Sequence, residues 1–347
     1  MKKPKIAYIE IDTHPEIVQN FMELTLLSRD FEIDFYLSEK ILKQINPIQQ
    51  NIFVVSPENL LSELEKQNYN LIIIGTAHRY FHIFKKIIKK QSAAIIVHNI
   101  NFSKSSKLSL LKNIFKEEVV FRLKLLLKEG LLSAPNLYKN VSKTFVLGKS
   151  LATEGRIFLP VFYSEKLSEK PKTTGKIRIV IPGAVSQKRR DYLHILKRIK
   201  TFKLNAEIIF CGKASSAEHS WLKEAQKHLP ANLKIKFFST KLSRETFDQI
   251  MASADVLWCP IQEKTTFMSV EETYGKTKIS GNTGDAIRYQ KPAIFPKGYE
   301  SPLPFIFEEK EDIEAQILEI INTPLDFNDY SQEKVASALA TLLKNSF

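Results

Sequence analysis

Cysteine is almost missing from this chain: Cys211 and Cys259 are the only two in 347 residues. Both sit in or beside apolar strand runs. That excludes a disulfide framework and a cysteine metal motif, and reads as reduced core residues of a cytosolic protein. Long uncharged apolar runs are missing too, so no segment reads as a membrane span. The opening MKKPKIAYIE runs directly into a strand pattern, so no secretory leader is expected. Zinc-ligand spacing, a helix-turn-helix signature and an aromatic RNA-binding motif are all absent, so no nucleic-acid partner is expected. No short-period repeat appears, which excludes a solenoid.

Positive charge, by contrast, is in excess. Fifty-one Lys and Arg against 38 Asp and Glu give a formal charge of +13. Such a surface favours acidic partners: a phosphorylated ligand or an anionic lipid surface, once nucleic acid is set aside. The apolar fraction of 44% and charged fraction of 26% are those of a soluble globular protein.

The length suits two domains, and the pattern of elements says the same. Apolar strand runs at Ile6–Ile9, Ile33–Leu37, Ile52–Val55, Leu71–Ile74, Ala93–Val97 and Thr144–Leu147 alternate with helical patterns at Glu16–Leu27, Glu58–Lys66 and Tyr80–Lys90. The polar run SEKLSEKPKTTGK (164–176) reads as a linker. The alternation restarts with strands at Ile177–Ile181, Glu207–Cys211, Lys234–Phe238, Val256–Cys259 and Ala293–Phe295, and with helices from about Lys188, Ala217, Arg244, Asp285, Asp312 and Gln332. Strand–helix alternation specifies doubly wound parallel sheets. The expected domains are 1–163, a linker at 164–176, a second domain at 177–330, and a final helix over 331–347. The expected fold class is α/β: two Rossmann-like doubly wound parallel-sheet domains facing across a cleft.

One stretch concentrates ligand-binding chemistry. From Ala254 to Pro296 the chain reads strand, polar loop, short helix from about Asp285 to Gln290, strand. Ligands in such sheets bind beyond the carboxyl ends of the strands. Unpaired N–H groups at a helix start attract anions. Gly281 and Gly284 allow close backbone approach, Ser280 and Thr283 add hydroxyls, and Lys276, Lys278 and Arg288 add charge. Tyr274 lies in the same loop. Asp285 is placed to accept hydrogen bonds from sugar hydroxyls, or alternatively to cap its helix.

Other strand ends supply further candidates. Glu10, Asp12 and His14 follow the first strand, where Thr13 and Glu16 also spell a capping box. His78 and His98 follow two later strands. Carboxylates and histidines in such places suit general acid–base work. In the second half, Gly183, Lys188 and Arg189 follow one strand and Lys213 ends the next. Cations at a helix start oppose its dipole unless an anion is present, which favours a phosphate there.

Finally, Ser103–Leu132 reads as one basic amphipathic helix. Leu108, Leu111, Phe115, Val119, Leu123 and Leu126 recur at three and four, among Lys104, Lys107, Lys112, Lys116, Arg122, Lys124 and Lys128. It either packs on the sheet or lies on an anionic membrane through residues 104–129. Phe84–Lys90 is a second basic amphipathic segment.

Taken with IVIPGAVSQKRRDY, IIFCGK and SADVLWCPIQEKT, the run YGKTKISGNTGDAIRYQKPAIFP resembles the nucleotide-sugar domain of GT-B glycosyltransferases, most of all the large retaining family four. Asp285-Ala-Ile-Arg-Tyr-Gln-Lys-Pro292 is similar to that family's Glu-Ala-x-x-x-Gly-Lys-Pro. The resemblance sets Asp285 in place of the second glutamate of an E-x7-E motif. Thr277 stands where the first would be, with Glu271 and Glu272 nearby. It implies that Lys188, Arg189 and Lys213 hold a donor diphosphate, that His98 contacts the donor sugar, and that the last helix returns to the first domain. It also implies no bound metal, in agreement with the lack of a DxD-like carboxylate pair.

The expected function is a metal-independent glycosyltransferase, cytoplasmic and peripheral on the inner membrane face. It would move sugar from a nucleotide-sugar donor to a lipid-linked or surface-polysaccharide acceptor. Donor contacts would come from Gly183, Lys188, Arg189, Lys213, Tyr274, Lys278, Ser280, Gly281, Thr283 and Asp285. His98 is the expected catalytic contact, with Asp12 or His14 as base if the enzyme inverts. A nucleotide-sugar epimerase of the same fold, or a non-catalytic nucleotide-sugar-binding protein, are the alternatives.

Overall fold

A computed structural model describes residues 3–48, 51–165 and 175–347. The chain divides into two compact units. The first comprises Met1–Phe162, Thr266–Ile279 and Gln332–Phe347; the second comprises Tyr163–Thr265 and Ser280–Ser331.

In the first unit the order is β1 (Lys5–Glu10), α1 (Pro15–Thr25), β2 (Glu32–Leu37), α2 (Glu39–Leu42), β3 (Asn51–Val54), α3 (Leu60–Leu64), β4 (Leu71–Ile74), α4 (Phe81–Lys90), β5 (Ala93–Ile96), α5 (Ile100–Ser103), α6 (Lys107–Asn113), α7 (Val119–Lys128), α8 (Ala134–Asn140), β6 (Lys143–Val146) and β7 (Ile157–Phe158). Its sheet runs β3-β2-β1-β4-β5-β6-β7, with every pairing parallel. Strands such as Leu71–Ile74 are buried along their whole length, as a parallel sheet covered on both faces requires.

The second unit runs β8 (Ile177–Pro182), α9 (Tyr192–Ile199), β9 (Ala206–Lys213), α10 (Ser216–Lys227), β10 (Leu233–Phe238), α11 (Arg244–Ala252) and β11 (Val256–Trp258). A two-stranded hairpin follows, β12 (Lys264–Phe267) and β13 (Val270–Thr273), then α12 (Gly281–Arg288), β14 (Ala293–Phe295), β15 (Ile306–Glu308), α13 (Ile313–Asn322) and α14 (Gln332–Lys344). The second sheet is β10-β9-β8-β11-β14-β15, again parallel. Both sheets reverse strand order beside their first strand, between β1 and β4 and between β8 and β11. Such a switch point opens a crevice at the carboxyl ends of the strands.

Two chain segments cross the sequence-based division. Helix α14 belongs to the first unit. There it lies on α1, with Leu339 and Leu343 buried and Lys344 ion-paired to Asp30 at 2.8 Å. Residues 266–279 also fold with the first unit. Glu272 of β13 is fully buried, and its carboxylate accepts the N–H of Phe102 at 2.8 Å and of Asn101 at 3.2 Å, the open first turn of α5. The Ile100 N–H reaches Thr277 O at 3.0 Å. Of the linker expected at 164–176, residues 166–174 lie outside the described residues. Its described start is fixed in the second unit by Ser164 N–H to Tyr330 O at 2.7 Å and by Glu165 with Arg288.

Four local expectations are corrected. The Thr13–Glu16 capping box does not form: His14, in a left-handed conformation, precedes α1 with Pro15 at its first position, and the Thr13 hydroxyl is buried without a partner among the described residues. The helix expected from Lys188 begins at Tyr192, because Asp191 caps it by accepting the His194 N–H at 3.1 Å. Lys188 and Arg189 therefore stand in a loop, and the supposed conflict with the helix dipole disappears. Helix α12 begins at Gly281, not Asp285, since Ser280 Oγ caps it. The single helix over Ser103–Leu132 is two helices, broken where Glu118 turns left-handed.

Removing the Glu272 carboxylate leaves two helix N–H groups unpaired in a dry interior. Hydrogen bonds to a charged group contribute roughly 1.5–3 kcal/mol each. Glu272→Ala is therefore expected to lower Tm by several degrees in a calorimetric scan, with Glu272→Gln intermediate. An unchanged Tm would show that the hairpin is held otherwise.

Candidate functional site

Two clusters lie at the two switch points. In the first unit, the loops after β1, β4 and β5 bring three histidines together. The rings of His14 and His98 stack in parallel at 4.0 Å, and His78 stands 5.6 Å from His98 and 6.3 Å from His14. His98 is 8% exposed, and its Nε2 lies 2.9 Å from Gly75 O. A carbonyl only accepts, so Nε2 carries the hydrogen and Nδ1 is left as the acceptor.

The state of His78 follows from a chain of donors. Lys278 Nζ donates to Asn99 Oδ1 at 2.6 Å, which turns the Asn99 Nδ2 toward His78 Nε2 at 3.0 Å. An amide N–H₂ only donates, so His78 Nε2 accepts and the ring is neutral. Burial, then the neighbouring His14 and Lys278, push the His78 pKa well below 6.5. Burial, then His14 and His78, do the same to His98.

Beneath the histidines lies Glu10, 1% exposed. Its Oε1 accepts the N–H of Ile11 at 3.1 Å, with those of Asp12 and Thr13 more distant at 3.4 Å. Thr76 donates to Oε2 at 2.7 Å. These donors favour the carboxylate, but burial prevails and raises its pKa from 4.5 to about 8. Gly75 makes the pocket: a Cβ there would lie 2.7 Å from Glu10 Oε2 and 2.8 Å from the Tyr8 hydroxyl.

Asp12 is engaged elsewhere, with Lys40 at 3.0 Å and Arg79 at 3.4 Å, and Arg79 also grips Glu129 with two nitrogens. His14 Nδ1 pairs with Glu16 at 2.9 Å. Of the expected catalytic residues, His98 and His14 thus meet in one stack, while Asp12 points into an ion-pair network. Sequence reasoning passed over Glu10 and His78 as chosen site residues, although both had been noted at their strand ends.

In the second unit, the loop after β8 meets the start of α12. Gly183 has φ +98, and a Cβ on it would lie 2.8 Å from Arg190 Cζ. A Cβ on Gly212 would sit 2.6 Å from the carbonyl carbon of Gly183. The two backbones therefore touch where only glycine fits. Arg190 spans the gap, donating to Ala184 O and to Asn282 Oδ1, each at 3.3 Å, and its Nε has no partner among the described residues. Asn282 in turn donates to Asp285 at 2.9 Å and to Pro182 O at 3.5 Å.

Gly281 is exposed, with open space where a Cβ would be. Lys188, Arg189 and Lys213 are exposed on the same strand-end loops. Asp285 also pushes up the thiols of Cys211, to about 12, and Cys259, in both cases after burial itself. Gly183, Ser280, Gly281 and Asp285 come together here, with Arg190 and Asn282 as members that the sequence did not single out. Thr283 is buried against the Tyr299 hydroxyl at 3.2 Å. Tyr274 and Lys278 lie in the first unit, where Lys278 serves Asn99.

No protein-family model and no curated protein matches the chain. Solved structures match along its whole length, at low identity. The glycotransferase of kitacinnamycin has a TM-score of 0.54 at 11% identity, covering 100% of this chain and 96% of its own. UDP-GlcNAc 2-epimerase from Neisseria meningitidis, bound to UDP-GlcNAc, has a TM-score of 0.52 at 9% identity and 98% and 100% coverage. AviGT4, a glycosyltransferase involved in avilamycin A biosynthesis, has a TM-score of 0.51 at 9% identity and 97% and 88% coverage. With its two parallel-sheet α/β units, the chain has the GT-B fold.

The buried groups define the pH response. Glu10, with a raised folded pKa, contributes stability that is complete below about pH 4.5 and is lost as pH rises through about 8. His78 and His98, with depressed values, contribute stability that is present above 6.5 and lost below it. Tm is thus expected to fall on both sides of a near-neutral optimum, with a limiting slope of roughly 1.4 kcal/mol per pH unit for each group. Glu10→Gln should flatten the alkaline limb alone; if that limb persists, Glu10 is ionised in the fold.

Proposed function

We propose that the protein is a glycosyltransferase that takes its sugar from a nucleotide diphosphate sugar. One observation carries the reading: at the switch point of the second sheet, a glycine-bared backbone, the Arg190 guanidinium and the exposed Gly281 at the start of α12 converge. Oriented N–H groups and a fixed guanidinium are what a diphosphate requires. Lys188, Arg189 and Lys213 would add charge as the diphosphate departs, and preplaced charge of this kind lowers a barrier by several kcal/mol without a metal. Asp285 would accept donor hydroxyls. The acceptor would be lipid-linked or a surface polysaccharide, taken up at the cytosolic membrane face. His98, with its free Nδ1, would face the donor sugar. Retention at the anomeric carbon follows from the family-four resemblance and belongs to this proposal.

A nucleotide-sugar epimerase is the second reading. The cluster of Glu10, His14, His78 and His98 favours it, because epimerisation needs paired acid and base groups around one sugar.

A thermal-shift screen of nucleotide sugars against free nucleotides tests the donor site. A ligand at a hundred times its Kd adds about 2.7 kcal/mol of stability. One nucleotide sugar should raise Tm by several degrees, and Arg190→Ala or Lys188→Ala should reduce the shift. No shift from any nucleotide at millimolar concentration would overturn the donor site. NMR of the donor incubated alone then separates the readings: conversion to an epimer supports the second, and an unchanged donor that is consumed only with an acceptor supports the first.

A further inference from the structure

The two-helix arm of the first unit is built inside out. Leu110, Ile114 and Leu125 are its buried apolar side chains, and Arg122 is buried beside them, donating to Asn113 O and to Ser269 Oγ. The regular stripe of Leu108, Leu111, Phe115 and Val119 faces solvent instead. So do Val120, 85% exposed, and Leu127, 80% exposed. Half of the exposed large apolar side chains among the described residues fall within Leu108–Leu127. An apolar concentration of this kind marks an interaction surface.

Charge accompanies it. Lys104, Lys107, Lys112, Lys116, Lys124 and Lys128 are all exposed along the arm, opposed by Glu117 and Glu118. On α7 the order Val120, Lys124, Leu127 places a cation between two apolar residues on one face. By contrast, α4, the other basic amphipathic segment, buries Ile83, Phe84 and Ile87 in the core and offers only lysines to solvent. No helix among the described residues is long and apolar enough to cross a membrane.

We propose that this arm seats the protein on an anionic lipid bilayer. In this arrangement Leu108, Phe115, Val120 and Leu127 enter the acyl boundary, and the lysines stay at the headgroups. Lysine stems lie along apolar surface while their ammonium groups remain wet, so alternation suits a lipid interface. A second copy of the chain fits worse, because a two-fold contact would set the same lysines against each other. The exposed apolar side chains are interspersed with lysines along the arm, an arrangement that a bilayer accepts without shape complementarity. The inference stands apart from the donor reading, since none of these residues belongs to the second unit.

Flotation of the full chain with vesicles tests it. Binding is expected to vesicles of equal parts phosphatidylglycerol and phosphatidylcholine, and not to phosphatidylcholine alone. Each lysine near an anionic leaflet is worth about 1 kcal/mol, so Lys112→Ser/Lys124→Ser/Lys128→Ser should weaken binding on the order of a hundredfold. Phe115→Ser/Val120→Ser/Leu127→Ser should weaken it roughly tenfold or more, with Tm unchanged because the side chains are exposed.

Equal binding to neutral and anionic vesicles, or none to either, would overturn the proposal. So would an apolar triple variant that binds as the parent does, which would mean adsorption without insertion. Dimerisation of the parent that is lost in the apolar variant, without vesicle binding, would assign the face to a second copy. The nucleotide-sugar thermal shift should survive in both variants, so the two readings fail separately.

Discussion

The carboxylate of Glu272 has no access to water, and the geometry of the first cluster rests on it. By accepting the N–H groups of Asn101 and Phe102 it holds the β12–β13 hairpin against α5. That contact fixes the following turn, and the turn carries Lys278. Lys278 orients Asn99, and Asn99 dictates the tautomer of His78. A buried carboxylate placed for backbone capping thus sets, four links away, which nitrogen of His78 carries its hydrogen. Its hydrogen-bonded links each run in one direction, from ammonium to amide oxygen and from amide N–H to imidazole.

The second cluster follows a different logic. It depends on side chains being missing: Gly183 and Gly212 let two strand-end backbones and a guanidinium occupy one small volume. In the first unit, burial holds the pKa values of His78 and His98 well below 6.5 and raises that of Glu10 to about 8. The second exposes Lys188, Arg189 and Lys213 at its strand ends. One fold, repeated, therefore sets a buried histidine and glutamate cluster at one switch point and an exposed, glycine-bared cationic cluster at the other.

Most strands could be read directly, because a parallel strand buried on both faces is a short apolar run. Their alternation with helical patterns made two parallel-sheet α/β units legible. Four things were not. The hairpin strands KTTF and VEET are polar, and their turn uses Met268 and Ser269 at positive φ instead of glycine, so no turn signal marks it. Its return to the first unit depends on contacts across some 170 residues. The start of α12 was hidden because Gly281 and Gly284 suggest a loop, whereas a Ser280 cap suffices to begin a helix there. Arg190 was overlooked beside Lys188 and Arg189, since only the Asp191 cap sets which of the three turns inward. In the arm, the apolar period was visible but its direction was not: periodicity identifies a stripe, and tertiary packing decides whether that stripe or its neighbour is buried.

The first unit is assembled from three separated pieces of chain, and the last of them is α14. During synthesis β1 to β7 emerge early, yet α1 must wait for Leu339 and Leu343, and α5 must wait for Glu272. The whole second unit is made between the first and the last of these pieces. Its own sheet is therefore complete on the ribosome before the first unit can close. Until then the part of α1 that α14 covers is bare, and the early half of the protein is the part that needs protection from aggregation in the cell.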